Sequence, residues 1–162
     1  MTQARDPRFY ECYSVSDTVL GRFDLIVLHV ALLLRRLHAG NPSARALAQS
    51  LFDAFCRDMD HNLREMGISD QGVPRQMRRV GEAFYGRAQA YDRALAERGN
   101  EALVQTLTRN VYAEAAGTDV AARRLAAYVR QAVNDLETEA FDNLLRGVVR
   151  FPELVELAPA AE

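Results

Sequence analysis

Lysine and tryptophan are absent from this 162-residue chain, and histidine and cysteine are scarce, at three and two residues. All 20 basic side chains are therefore Arg, set against 22 acidic ones, which leaves a formal charge of -2 and a pI near 6.0. That balance excludes the broad positive field that draws a protein onto nucleic acid, so no specific DNA or RNA binding is expected. The missing Lys reflects either the codon bias of a GC-rich genome or the better fit of guanidinium to carboxylates and aromatic faces. Two cysteines, Cys12 and Cys56, are too few for a disulfide framework, and the opening residues show no charged, apolar, small-residue pattern, so no leader is expected. A reduced, cytoplasmic setting with free thiols is the expectation. Long apolar runs are also missing. The most apolar stretch, Leu25 to Leu34, is half the roughly 20 residues a bilayer span needs, and Arg22, Asp24, Arg35 and Arg36 flank it. No transmembrane helix is expected, which leaves open a peripheral contact at the inner face of the cytoplasmic membrane.

What is present is the composition of an ordinary globular domain, 49% hydrophobic and 26% charged, long enough for one core. The apolar residues recur at steps of three and four. Ser16 or Asp17 caps a first helix carrying Val19, Phe23, Ile26, Val30, Leu33 and Leu37, and Gly40 ends it. Asn41-Pro42-Ser43 opens a second, with a stripe of Ala44, Leu47, Leu51, Phe55, Met59, Leu63 and Met66 closed by Gly67. Pro74 suits the first turn of a third helix, whose inner line is Met77, Val80, Phe84, Ala88, Tyr91 and Leu95. Asn100 caps a shorter fourth with Leu103, Leu107 and Val111 inward. Thr118 starts a long last helix, with Leu125, Val129, Val133, Leu136, Ala140 and Leu144, that runs to Gly147. No segment alternates with period two, so no strands are expected. The fold class is all-α: a single globular helical domain of about five main helices over 16–147. An extended N-terminal arm (1–15) lies against it, and an irregular C-terminal tail (148–162) crosses the surface and frays.

Chemistry-bearing patterns are sparse. There is no phosphate-cradling glycine loop, nucleophile elbow or Cys-x-x-Cys pair. Asp58, His61 and Glu65 share one side of the second helix, but the second such set that a di-metal bundle requires is missing. His29 sits in the most apolar helix in line with Arg22, Leu25, Leu32 and Arg36, either as a hydrogen-bonded core histidine or as part of a second, mixed face. A helix apolar on nearly all sides is central or offers that second face to a partner. Gly81 and Gly86 interrupt the third helix at up to about 1 kcal/mol each relative to Ala, which points to close packing or to access for a partner's backbone. Arg75, Arg78 and Arg79 crowd the end of that helix where the backbone dipole is already positive. An acid must compensate them, either Asp58, Asp60 or Glu65 within the domain or an anionic partner or lipid headgroup.

In order along the chain stand Arg8-Phe9-Tyr10, Asp17-Thr18, Gly21-Arg22-Phe23-Asp24-Leu25, Leu28-His29, Leu51-Phe52-Asp53 and Asp58-Met59-Asp60. Leu63-Arg64-Glu65-Met66-Gly67, Phe84-Tyr85-Gly86-Arg87, Tyr91 and Arg109-Asn110-Val111-Tyr112 follow. With these fragments in this order, the chain resembles the ubiquinol-cytochrome c chaperone family, the domain of factors that assist assembly of the respiratory cytochrome bc1 complex. The resemblance implies a chaperone, not an enzyme, that engages nascent cytochrome b or another bc1 subunit without a cofactor, with a second small assembly factor as an open accessory.

The residues expected to bind the partner are Arg22, Asp24, Leu25, His29, Asp58, Asp60, Arg64, Glu65, Phe84, Tyr85, Arg87, Tyr91, Asn110 and Tyr112. Their helix lines, Arg22 to His29, Asp58 to Glu65 and Phe84 to Tyr91, are expected to converge on one surface. Charge reversal at Arg87 or Asp60 is then expected to weaken client capture while sparing the fold. Two rivals stand beside this reading: a general helical interaction module with another client, and a metal- or haem-binding enzyme using Asp58, His61 and His29.

Overall fold

Helices supply every regular element in the computed structural model, which describes residues 3–155. A 3-10 turn (Gln3–Arg5) and α1 (Arg8–Glu11) form the arm. The body is α2 (Val19–His38), α3 (Pro42–Glu65), α4 (Val73–Ala96), α5 (Glu101–Asn110) and α6 (Asp119–Thr138), with a short α7 (Phe141–Leu145) after it. All residues of α2 from Asp24 to Leu32 are buried, so the helix is central: α3 and α4 cover one side, α6 and the arm the other.

The start of α2 lies slightly later than Ser16 or Asp17. Thr18 takes the extended cap conformation, and its side-chain oxygen accepts the Gly21 N–H at 3.1 Å. Asp17 is instead held by Arg22 at 2.7 Å. The preceding loop folds so tightly over the first turn that a Cβ on Gly21 would stand 2.0 Å from the Ser16 carbonyl oxygen, so only glycine fits there. Asn41 caps α3 as its sequence signals, accepting the Ala44 N–H at 2.9 Å, and Pro74 sits in the first turn of α4.

The expected long last helix is two. It stops at Thr138, Glu139 and Ala140 are extended, and α7 restarts at Phe141. Arg36 of α2 enforces the break: its guanidinium donates to the Leu136 carbonyl at 2.7 Å and the Glu139 carbonyl at 3.0 Å, and lies 3.7 Å over the Phe141 ring. A cation thus captures carbonyls that the next helical turn would otherwise have used.

The arm lies on the domain as expected, but it coils through its two short helical pieces and enters the core with Phe9 and Tyr13. Phe9 meets Tyr13, His29 and Tyr128 at ring separations of 5.3–5.7 Å. The tail crosses the surface to this same place. Leu154 is buried, its carbonyl accepts from Arg8 at 3.3 Å, and the Val155 N–H donates to the Tyr13 hydroxyl at 3.3 Å. The expected fraying, at 156–162, lies outside the described residues. Because Phe9 is fully buried among rings, Phe9→Ala is expected to lower unfolding stability by about 3–5 kcal/mol in urea titration. A loosely laid arm would register less than about 0.5 kcal/mol.

Candidate functional site

Where the first turn of α2 leaves the core, four elements fail to close over one another. The result is a groove of about 970 Å³, walled by the arm (Arg5, Pro7, Tyr10), α2 (Leu20, Phe23), α3 (Leu63, Met66) and α4 (Val80, Ala83). Its lining is chiefly apolar, and on its rim Val19, Leu20 and Met66 are 72%, 58% and 56% exposed. Apolar side chains this open, grouped around one hollow, make it the candidate contact surface. Of the carboxylates lining it, Asp17 is paired with Arg22 and Glu65 with His61 at 3.2 Å.

The helix lines from α2, α3 and α4 do converge, but largely inside the molecule. Asp24, Leu25, His29, Phe84, Tyr91 and Tyr112 are buried, packed between the helices and away from the surface. Asp24 meets Arg87 across α2 and α4 at 2.8 Å, beside Tyr91 and the half-buried Asn110. Asp24 Oδ1, Arg87 Nε, Tyr91 OH and Asn110 Nδ2 are all buried without an aligned hydrogen bond among the described residues. Reversing Arg87 would press two carboxylates together there, so its expected use as a fold-neutral surface probe is withdrawn. Tyr112 donates to the Tyr13 carbonyl at 2.8 Å, tying α5's end to the arm.

The remaining expected residues lie outside. Arg22 and Glu65 line the groove. Asp58 is exposed; Asp60 holds Arg64 at 2.7 Å, and Arg64 also pairs with Asp70. Tyr85, 61% exposed, is on the other flank of α4 with Phe52, where it lines a smaller hollow of about 300 Å³. The expected single surface is therefore divided, with Arg22 and Tyr85 at different hollows. Most groove residues were missed; the signal was present in Val19, Leu63, Met66 and Val80, all of which helical periodicity had assigned to the core.

His29 is the core histidine of the two readings. Its Nδ1–H donates to the Leu25 carbonyl at 2.7 Å, and Nε2 accepts from the Tyr128 hydroxyl at 2.8 Å. With both nitrogens occupied and His61 on the exposed face of α3, the two do not share a site. No group of three or more metal-ligating side chains gathers among the described residues.

Neither Gly81 nor Gly86 is explained by tight packing: a Cβ at either would have no neighbour within 4 Å. Arg75, Arg78 and Arg79 are exposed, and none has a carboxylate in ion-pair range among the described residues, so Asp58, Asp60 and Glu65 do not compensate them. Both thiols are free, and no described helix is long and apolar enough to cross a membrane.

A family model described as ubiquinol-cytochrome C chaperone matches residues 11–151. The chain belongs to the ubiquinol-cytochrome c chaperone family. It is also similar to a solved structure, the Cbp3 homolog from Brucella abortus, with 40% identity and a TM-score of 0.85 over 94% of this chain and 83% of that one. No curated protein matches it. The family match spans the α2, α3 and α4 walls of the groove, whereas Arg5, Pro7 and Tyr10 of the arm wall precede it.

Burial sets two opposed titrations in this core. It pushes Asp24 up from 3.8 to about 6 against the pull of Arg87, and His29 down from 6.5 to about 4. Folded Asp24 holds its proton more tightly than unfolded Asp24, so its stabilising share exists below about pH 4 and is lost as pH rises through 6. His29 acts in reverse: its share is complete above pH 6.5 and is lost as pH falls toward 4. The slopes oppose each other between pH 4 and 6. Asp24→Asn removes one of them, so its unfolding free energy is expected to drop by on the order of 3 kcal/mol from pH 6.5 to 4. The parent is expected to change far less, as read by urea denaturation at stepped pH.

Proposed function

We propose that this protein is a non-enzymatic assembly chaperone for the cytochrome bc1 complex, which holds newly made cytochrome b in the groove and releases it as the complex assembles. The observation that carries the reading is an apolar groove with exposed Val19, Leu20 and Met66 at its rim, in a chain of the ubiquinol-cytochrome c chaperone family. The likeness to a Cbp3 homolog supports it. So does the groove's chemistry: its lining offers no nucleophile beside a base, and its carboxylates lie against basic side chains, Asp17 by Arg22 and Glu65 by His61. Apolar contact supplies affinity, while the open form permits release; an assembly factor works only if its client leaves. The site of action is the inner face of the cytoplasmic membrane, where an apolar subunit first emerges.

Rim residues are better probes than Arg87 or the paired Asp60. Leu20→Glu combined with Met66→Glu changes exposed positions, so stability is expected to stay within about 1 kcal/mol of the parent. Co-purified cytochrome b is expected to fall by about tenfold. Deleting the gene is expected to lower assembled bc1 complex; normal bc1 levels in the deletion strain would remove the proposal.

A further inference from the structure

We infer that the groove receives an apolar α-helix of the client, laid along α4, with an acidic side chain near the end that meets Arg75 and Arg79. This deepens the function proposed above and rests on it.

Three observations lead there. One side of α4 carries Arg79, Ala83, Gly86 and Ala90 at steps of four, three and four, so these residues form a line along the helix. Arg79 and Ala83 line the groove, and Gly86 continues the line one turn further. Gly86 is exposed in mid-helix, and a side chain there would meet nothing within 4 Å. Glycine weakens a helix, and here the fold receives no close contact in return. What the missing side chain does provide is bare backbone, against which a second helix can pack at short range, as small residues allow where helices meet in membranes.

The opposite side of the hollow presents Leu20, Phe23, Leu63 and Met66, a surface suited to the side chains of such a helix. Charge then narrows the occupant. Of the groove's own acids, Asp17 is paired with Arg22, and Glu65 stands 3.2 Å from His61, a contact that is ionic only when the imidazole carries a proton. Arg79 on the α4 wall, Arg5 on the arm wall and Arg75 one turn before Arg79 have no carboxylate in ion-pair range among the described residues. The positive end of α4 adds to their field. Covering these guanidinium groups with a purely apolar segment would strip their water without replacement, whereas a carboxylate near the end of the helix would replace it with an ion pair.

The test uses the full chain, affinity-tagged and expressed in its host in place of the untagged copy, with recovered cytochrome b quantified by immunoblot. Gly86→Ala is expected to raise Tm by roughly 2–4 °C, showing that the fold does not require glycine. Gly86→Leu is expected to keep its helical circular dichroism yet recover about tenfold less cytochrome b, as is Arg79→Glu. A photo-crosslinking residue at Val19 is expected to mark an apolar helical segment bearing Asp or Glu near one end. Equal recovery by Gly86→Leu and the parent would overturn the helix-packing inference alone, as would crosslinks confined to an extramembrane loop. Loss of binding to anionic phospholipid vesicles in Arg79→Glu, with cytochrome b recovery intact, would assign the arginines to lipid and overturn the acidic helix. A parent that recovers no cytochrome b would remove the proposed function and this inference together.

Discussion

From Asp24 to Leu32 every residue of α2 is buried, and a helix dehydrated around its whole circumference needs neighbours on all sides at once. Each large apolar side chain there gains about 1.5–3 kcal/mol on leaving water, so covering this one helix outweighs any single surface contact in the domain. α3 and α4 serve one side; α6, the arm and the returning tail serve the other. Two buried polar groups ride on the same helix and fix its rotation. Asp24 reaches toward Arg87 and His29 toward Tyr128, so turning α2 would strand both.

Much of this architecture was legible. The five long helices follow from apolar spacing, and Asn41 and Pro74 mark their helix starts by known chemistry. The break after Thr138 was not legible, because neither glycine nor proline marks it; it comes from Arg36, about a hundred residues away in the chain, drawing carbonyls out of the helix. The coiling of the arm was hidden for a similar reason. Pro7 reads locally as extended chain, and only the rings of Tyr128 and His29 make a socket for Phe9.

The open groove was harder to read, because periodicity identifies an apolar side of a helix without saying whether a neighbour covers it. Val19, Leu63, Met66 and Val80 sit in phase with the core, but all four line the groove where α2, α3 and α4 do not cover one another. The family-like fragments misled in the opposite direction. Asp24, Arg87, Tyr91 and Asn110 are chemically distinctive, which suggested a partner, but their distinctiveness serves a polar junction inside the fold. For Arg75, Arg78 and Arg79 the intramolecular alternative fails, since Asp60 and Glu65 lie against other side chains and no described carboxylate reaches the three arginines.

The two ends of the described chain are clasped. Gln3 and Arg8 donate to the carbonyls of Pro152 and Leu154, and Val155 donates back to Tyr13. Since Arg5, Pro7 and Tyr10 form one bank of the hollow, that bank is tied down by a C-terminal strap that does not line it. Whatever loosens that strap, whether proteolytic nicking or a second protein gripping it, acts on the mouth of the groove from behind, through the arm.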